Sequence, residues 1–227
     1  MIFRGGNTVI KAVIFDFDGT IIDTETPWFE IYRELLKMDY DFDLPLEAFA
    51  RVIGTTNGSL FDLIDQSLTH PIDRQQFKEK ARSHYLKIKD DLPLRNGFLD
   101  ILNGIKNSGT KLALASSSNR EWVVGFLDKH RLIDDFPIIF TAEDVEEVKP
   151  NPALYIKTLE ALGVEPNEAI AVEDSANGSL AAIKAGINCL IIPNDMTKNL
   201  TFHQNTRMID SYLDFDLARY LKRETWS

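Results

Sequence analysis

The chain has 227 residues, 44% hydrophobic and 26% charged, which is enough to bury a sizeable core in one large domain or in a core with a smaller companion. A formal charge of −10 and a pI near 4.9 argue against a nucleic-acid partner, because phosphate-backbone binding needs a basic face. With a single cysteine, Cys189, no intramolecular disulfide is possible. No apolar run approaches transmembrane length, and the N-terminal MIFRGGNTVI lacks the long apolar segment of a secretory signal, so a cytoplasmic protein off the membrane is expected, with a monomer as the default.

Lys11 to Phe15 reads as a short buried strand, with Val13, Ile14 and Phe15 as its apolar run. Asp16 and Asp18 follow it, one residue apart, and Gly19 and Thr20 break the run. In an open parallel sheet, ligands bind just past the carboxyl ends of the strands. Two carboxylates held there repel each other, and a divalent cation bound by hard oxygen ligands, Mg²⁺, is the simplest compensation.

From about Glu25 to Leu92 the pattern is helical. Trp28, Ile31, Leu35 and Leu36 recur on one face after Pro27. Leu46 to Ile53 reads as a short helix ending at Gly54. Ser59 is placed to cap a third helix and Asp73 a fourth, Gln75 to Ile88. This block is expected to be an inserted helical cap joined to the core around Asp23–Thr26 and Asp90–Gly97.

From Gly97 helix and strand alternate: helix Phe98–Asn107 stopped by Gly109, strand Lys111–Ala115, helix Arg120–Lys129, strand Ile138–Thr141, helix Pro152–Leu162 closed by Gly163. Strand Ala169–Val172, helix Ser179–Ala185 stopped by Gly186, strand Cys189–Ile192 and a terminal helix Asp214–Leu221 complete the chain. The alternation predicts an α/β fold, a parallel sheet with helices on both faces. Cys189 lies in an apolar strand and is read as a small buried hydrophobe.

Three further features fall at predicted strand ends. Ser116-Ser117-Ser118-Asn119 precedes a helix, where hydroxyls and free backbone N–H groups suit a phosphate, or where Ser118 or Asn119 serves as an N-cap. Lys149 stands between Val148 and the rigid Pro150-Asn151-Pro152, placed to neutralise phosphate and carboxylate, or simply exposed before the next helix. Glu173 and Asp174 follow a buried strand, with Ser175 and Gly178 in the turn, placed where a metal would be held, or with Asp174 or Ser175 capping the next helix. The four histidines, His70, His84, His130 and His203, show no ligand spacing.

Asp16-Phe17-Asp18-Gly19-Thr20, Ser116, Lys149 and the pair Glu173–Asp174, in this order, resemble the four motifs of the haloacid dehalogenase-like hydrolases. KPNP and VEDSANG are similar to the branch that holds β-phosphoglucomutase and small sugar-phosphate phosphatases. The resemblance implies a Rossmann-like parallel-sheet core, residues 1–24 and 94–227, with an α-helical cap domain at 25–93. It implies Asp16 as nucleophile, Asp18 as general acid and base, and Ser116, the Ser117 amide and Lys149 as phosphoryl ligands. Mg²⁺ is implied on Asp16, the Asp18 carbonyl and Asp174, with Glu173 in or beside the shell. The expected activity is Mg²⁺-dependent hydrolysis of a small phosphorylated metabolite, a sugar or polyol phosphate, through an aspartyl-phosphate. An acid at Asp18 argues against dehalogenation, since dehalogenases of this fold lack one there. The alternatives are a phosphohexomutase and a non-catalytic phosphometabolite-binding protein. Mutases of the branch carry a cap histidine where this chain has Trp28, and a cap arginine where the loop GTTNGS has Asn57; both departures favour hydrolysis. Arg51, Thr55, Thr56 and Asn57 are the expected substrate contacts from the cap.

Overall fold

The computed structural model describes residues 10–50, 58–68, 70–222 and 226. Its centre is a six-stranded, all-parallel sheet: β1 (Ala12–Phe15), β2 (Lys111–Ala115), β3 (Ile139–Phe140), β4 (Ala169–Glu173), β5 (Asn188–Ile191) and β6 (Thr206–Met208), in the order β3-β2-β1-β4-β5-β6. The chain builds β2 and β3 to one side of β1, then crosses back to build β4, β5 and β6 on the other. Ala12 therefore pairs with Lys111 on one edge and with Ala169 on the other. The connections after β1 and β4 leave in opposite directions, and a crevice opens between their carboxyl ends.

The period-2 alternation of the strands sorts large from small side chains. Val13, Phe15, Leu112, Leu114, Ile170, Val172 and Leu190 face one layer of helices, α5 (Phe98–Ser108) and α6 (Arg120–Lys129). Ala12, Ala113, Ala115, Ala169, Ala171 and Cys189 face the other, α7 (Ala153–Leu162) and α8 (Ala176–Lys184). On the first face Phe15 meets Phe98 edge-on at 5.5 Å; burying such a ring contributes about 1.5–3 kcal/mol. On the second face Tyr155 fills the volume the alanines leave and reaches past the strand ends toward the crevice.

Between β1 and β2 lie α1 (Glu25–Tyr40), α2 (Leu46–Ala50), α3 (Gly58–Ser67) and α4 (Arg74–Ile88), and among the described residues this segment holds no strand. It has an aromatic interior: Tyr32 meets Phe77 at 5.1 Å, Phe29 meets Phe49 at 5.4 Å and Phe61 meets Phe77 at 5.9 Å. Asp73 caps α4, its carboxylate accepting from the Gln76 N–H at 3.0 Å, as its position predicts. The helix expected to be capped by Ser59 starts one residue earlier, at Gly58, and the expected stretch of α2 beyond Ala50 lies outside the described residues. Ile22, ahead of α1, and Leu94, after α4, form an antiparallel bridge.

Two expectations near the C-terminus need correction. β6 was not expected; it is a three-residue edge strand of polar and exposed side chains, too short for an apolar pattern. The terminal helix is not continuous from Asp214: Tyr212–Asp214 is one tight turn, and Asp216 caps the separate α9 (Leu217–Tyr220) through the Arg219 N–H at 3.0 Å. No helix among the described residues is long and apolar enough to cross a membrane.

Candidate active site

β1 runs directly into Asp16, whose N–H bonds the Val172 carbonyl at 2.9 Å and so extends the strand ladder into the crevice. The chain then turns tightly: Gly19 adopts φ +77°, and a Cβ there would overlap the Asp174 carboxylate. Thr20 donates to Asp174 Oδ1 at 3.4 Å and Asn194 Nδ2 donates to Oδ2 at 2.8 Å. The loop after β1 thus closes onto the acid after β4.

Four segments converge. Lys149, buried, donates to Asp16 Oδ1 at 2.5 Å, to Glu173 Oε1 at 2.7 Å and to the Ala115 carbonyl at 2.7 Å. Burial alone would lower its pKa, but Asp16 and Glu173 outweigh burial and hold it above the ordinary lysine range. Glu173 is fully buried behind Asp16 and also accepts from the Tyr155 hydroxyl at 2.6 Å and the Ser175 hydroxyl at 3.3 Å. Its burial, then the charge of Asp16, push its carboxyl up to about 7 against the opposing pull of Lys149. Asp174 is raised as well, by burial first and then by Asp16 and Glu173. Asp16, Glu173 and Asp174 each offer an oxygen within 4.8 Å of the others. Asp16 and Glu173 share one lysine, Asp174 is held by Thr20 and Asn194, and all three offer hard oxygens, a set that suits a small divalent cation.

Asp18 sits across the crevice mouth with both carboxyl oxygens engaged. The Ser118 hydroxyl donates to Oδ2 at 2.5 Å and the Trp122 indole N–H donates to Oδ1 at 3.0 Å. Burial raises its pKa, these two donors oppose the rise, and Asp16 adds to it. Ser116 is buried and its hydroxyl accepts from the Ser118 N–H at 3.0 Å, while the Ser117 hydroxyl is buried without a protein partner. Asn119 caps α6 through the Trp122 N–H at 2.9 Å, and Ser175 caps α8 through the Gly178 N–H at 3.0 Å. Two helix N-termini therefore open onto the cleft.

Asp16, Asp18, Ser116, Ser117, Lys149 and Asp174 all line one cleft of about 1260 Å³. Glu173, expected beside them, stands behind the wall rather than on it. Of the residues expected to contact substrate, Thr55 and Asn57, with Arg51 and Thr56, lie outside the described residues. Trp28, read as the position of a cap histidine in mutases, is half-buried on the cleft wall, stacked on Tyr85 at 4.1 Å.

Four residues of the cleft and its frame are not among the site residues expected from the sequence. Glu25 opens α1 on the cleft wall, and burial together with Asp18, Asp23 and Asp16 pushes its carboxyl up to about 8. Trp122 reaches Asp18 from 104 residues away. Arg95 Nη1 donates to the Gly19 carbonyl at 2.8 Å and to the Ile192 carbonyl at 2.6 Å, and Nη2 donates to the Pro193 carbonyl at 2.6 Å. Asn194 holds Asp174 while its own Oδ1 accepts from the Met196 and Thr197 N–H groups at 2.9 and 3.0 Å. Only Glu25 had a usable cue, its place two residues after Asp23 in the stretch that follows the first acidic pair.

Comparison with known proteins gives a consistent result. The family model described as haloacid dehalogenase-like hydrolase matches residues 13–192. YhcW of Bacillus subtilis (strain 168), provisionally named a phosphatase, is 41% identical over 94% of this chain and 97% of its own length. A phosphorylated carbohydrates phosphatase of Thermotoga maritima is 30% identical over 78% of this chain and 82% of its own. The crystal structure of CbbY from Rhodobacter sphaeroides in complex with phosphate superposes with a TM-score of 0.72 at 27% identity, covering 92% of this chain and 98% of that one.

Proposed function

This chain belongs to the haloacid dehalogenase-like hydrolases, and we propose that it is a Mg²⁺-dependent phosphatase that hydrolyses a small phosphorylated metabolite, a sugar or polyol phosphate, through an aspartyl-phosphate on Asp16. The observation that carries the reading is Lys149, a buried cation bonded to both Asp16 and Glu173 at the floor of the cleft. Such a cation holds the nucleophile in place and faces the position that phosphoryl oxygens would take. The names of the relatives, phosphatases among them, support the same reaction class.

Asp16 and Asp174, with the Asp18 carbonyl and Glu173 beside them, are the residues that would hold Mg²⁺. When bound, the cation supplies positive charge that screens the Asp16 carboxylate from the phosphate. Asp16 attacks phosphorus in line, its new O–P bond forming as the bond to the leaving alcohol breaks. Asp18 gives its proton to that alcohol and then takes one from the water that hydrolyses the aspartyl-phosphate. The raised pKa of Asp18 suits the first role, because it keeps the proton available nearer neutral pH. Ser116, the Ser117 amide and Lys149 stabilise the phosphoryl oxygens.

In this reading residues 1–24 and 94–227 are the catalytic core and 25–93 the cap. The helical segment that begins at Glu25, and the bridge between Ile22 and Leu94 beneath it, support that division. Closure of the cap would exclude water from the first step.

The test is phosphate release from glucose 6-phosphate, fructose 6-phosphate, sorbitol 6-phosphate, ribose 5-phosphate, 2-phosphoglycolate and AMP, with Mg²⁺ or with EDTA, for the wild type and Asp16→Asn. Turnover that requires Mg²⁺ and vanishes in Asp16→Asn is expected. Interconversion of hexose phosphates without release would replace the reading with a mutase, and binding without turnover would replace it with a phosphometabolite sensor.

A further inference from the structure

We propose that Trp122 is a positioning residue for Asp18: its indole N–H fixes which carboxyl oxygen carries the proton that the leaving alcohol receives. The proposal rests on the phosphatase reading and on Asp18 as its acid.

An indole N–H donates and never accepts. At 3.0 Å from Asp18 Oδ1, it requires that oxygen to be the acceptor. A proton on Oδ1 would face the N–H head-on, so the acidic proton belongs on Oδ2. There the Ser118 hydroxyl lies at 2.5 Å. A hydroxyl both donates and accepts, so Ser118 serves the carboxylate and the acid alike. One neighbour is therefore fixed in its role and the other is adaptable, and the asymmetry makes Oδ2 the reacting oxygen.

The indole is held to this task. Its backbone N–H is tied by Asn119 in the first turn of α6. Phe17 meets the ring edge-on at 6.3 Å, Phe126 lies at 6.0 Å and Tyr85 of α4 at 5.9 Å. The Lys89 ammonium stands 6.0 Å over the ring. The indole N–H is the ring's single polar atom, and Asp18 is the acceptor it meets.

In the first step the Asp16–phosphorus bond forms, the bond from phosphorus to the leaving oxygen breaks, and the proton passes from Asp18 Oδ2 to that oxygen. The carboxylate left behind is stabilised by both donors. In the second step Oδ2 takes a proton from the attacking water.

The experiment compares kcat/KM for two substrates: the alkyl phosphate of the panel above that is turned over fastest, and p-nitrophenyl phosphate. This ratio counts only steps through departure of the first leaving group, and p-nitrophenolate leaves without a proton. Trp122→Phe keeps a ring and removes the donor. The expected result is a fall of about 10- to 100-fold for the alkyl phosphate and less than about 3-fold for p-nitrophenyl phosphate. Trp122→His, which restores a ring N–H, should recover part of the loss. Equal losses on both substrates, or no loss on either, would overturn the proposal. As a readout that needs no Trp122 variant, the indole ¹⁵N–¹H resonance of Trp122 in the wild type should move strongly in Asp18→Asn; an unmoved resonance would also overturn it. Asp18→Asn in the same kinetic comparison separates the two levels. If that variant does not itself discriminate between the substrates, or the wild type hydrolyses neither, the phosphatase reading fails and takes this proposal with it.

Discussion

Lys149→Met tests the electrostatic reading of the site with a number. The side chain keeps most of its length and loses the charge that Asp16 and Glu173 share. Glu173 is the informative reporter, because its carboxyl ordinarily titrates at 4.5 and in the folded protein near 7. Below 4.5 it is protonated in both states. Between 4.5 and about 7 the folded protein keeps a proton that the unfolded chain has released. Stability therefore falls as pH rises, by about 1.4 kcal/mol per unit, and levels off above about 7. From pH 5.5 to pH 8.5 the wild type should lose about 2 kcal/mol through this group. Without Lys149 the opposing cation is gone and the carboxyl moves higher, so over the same window the variant should lose more stability than the wild type does. Removing one partner from a buried ion pair destabilises by about 3–5 kcal/mol in total at neutral or higher pH. The assay is urea unfolding followed by circular dichroism at both pH values in EDTA, so that no cation neutralises the acids. Asp174, Asp18 and Glu25, also raised, add the same sign to both proteins and leave the difference to Lys149. A variant whose loss of stability is the same at pH 5.5 and pH 8.5 would refute the reasoning.

Gly19→Ala should lose about 1–3 kcal/mol and most turnover, because the new Cβ meets the Asp174 carboxylate at a positive φ; thermal melts and phosphate release check it. Arg95→Met removes the donor of the Ile192 and Pro193 carbonyls and leaves the Gly19 carbonyl to Asn194 alone, and should lower stability by about 2–4 kcal/mol, measured by urea melts. Tyr155→Phe removes one donor from Glu173 and leaves Lys149 in place, so a loss of about 1–2 kcal/mol with kcat within about 3-fold of wild type is expected.

The parts of this protein that could be read from the sequence are those whose cause is local. β1, β2, β4 and β5 are apolar runs bounded by turn residues. Gly109 and Gly163 stop α5 and α7 where expected, each in the left-handed conformation that favours glycine. The acids and serines of the site are legible because they stand at or just past strand ends, and the lysine because Pro150 and Pro152 follow it closely. What escaped is either too short or too distant. β6 has three residues and no apolar face to show. Arg95 and Asn194 act on Gly19 and Asp174 across 76 and 20 residues, and their contacts exist only after the sheet has ordered the loops. Trp122 looks like any aromatic in the first turn of a helix until Asp18 arrives at its nitrogen.

The bridge between Ile22 and Leu94 has a consequence for how such a protein diversifies. Ile22 also pairs with Asp18, and the Arg95 N–H bonds the Ile21 carbonyl at 2.9 Å, so the outgoing and returning chain are stitched together at a single doorway. A segment hung from one doorway adds little strain to the sheet whatever its length or sequence, because the ends it must join are already neighbours. The proposed site residues Asp16, Lys149 and Asp174 lie on the sheet side of that doorway, and Trp28 and Tyr85 on the other. Changes beyond it can therefore reshape what the leaving group meets while the chemistry beneath is inherited unaltered.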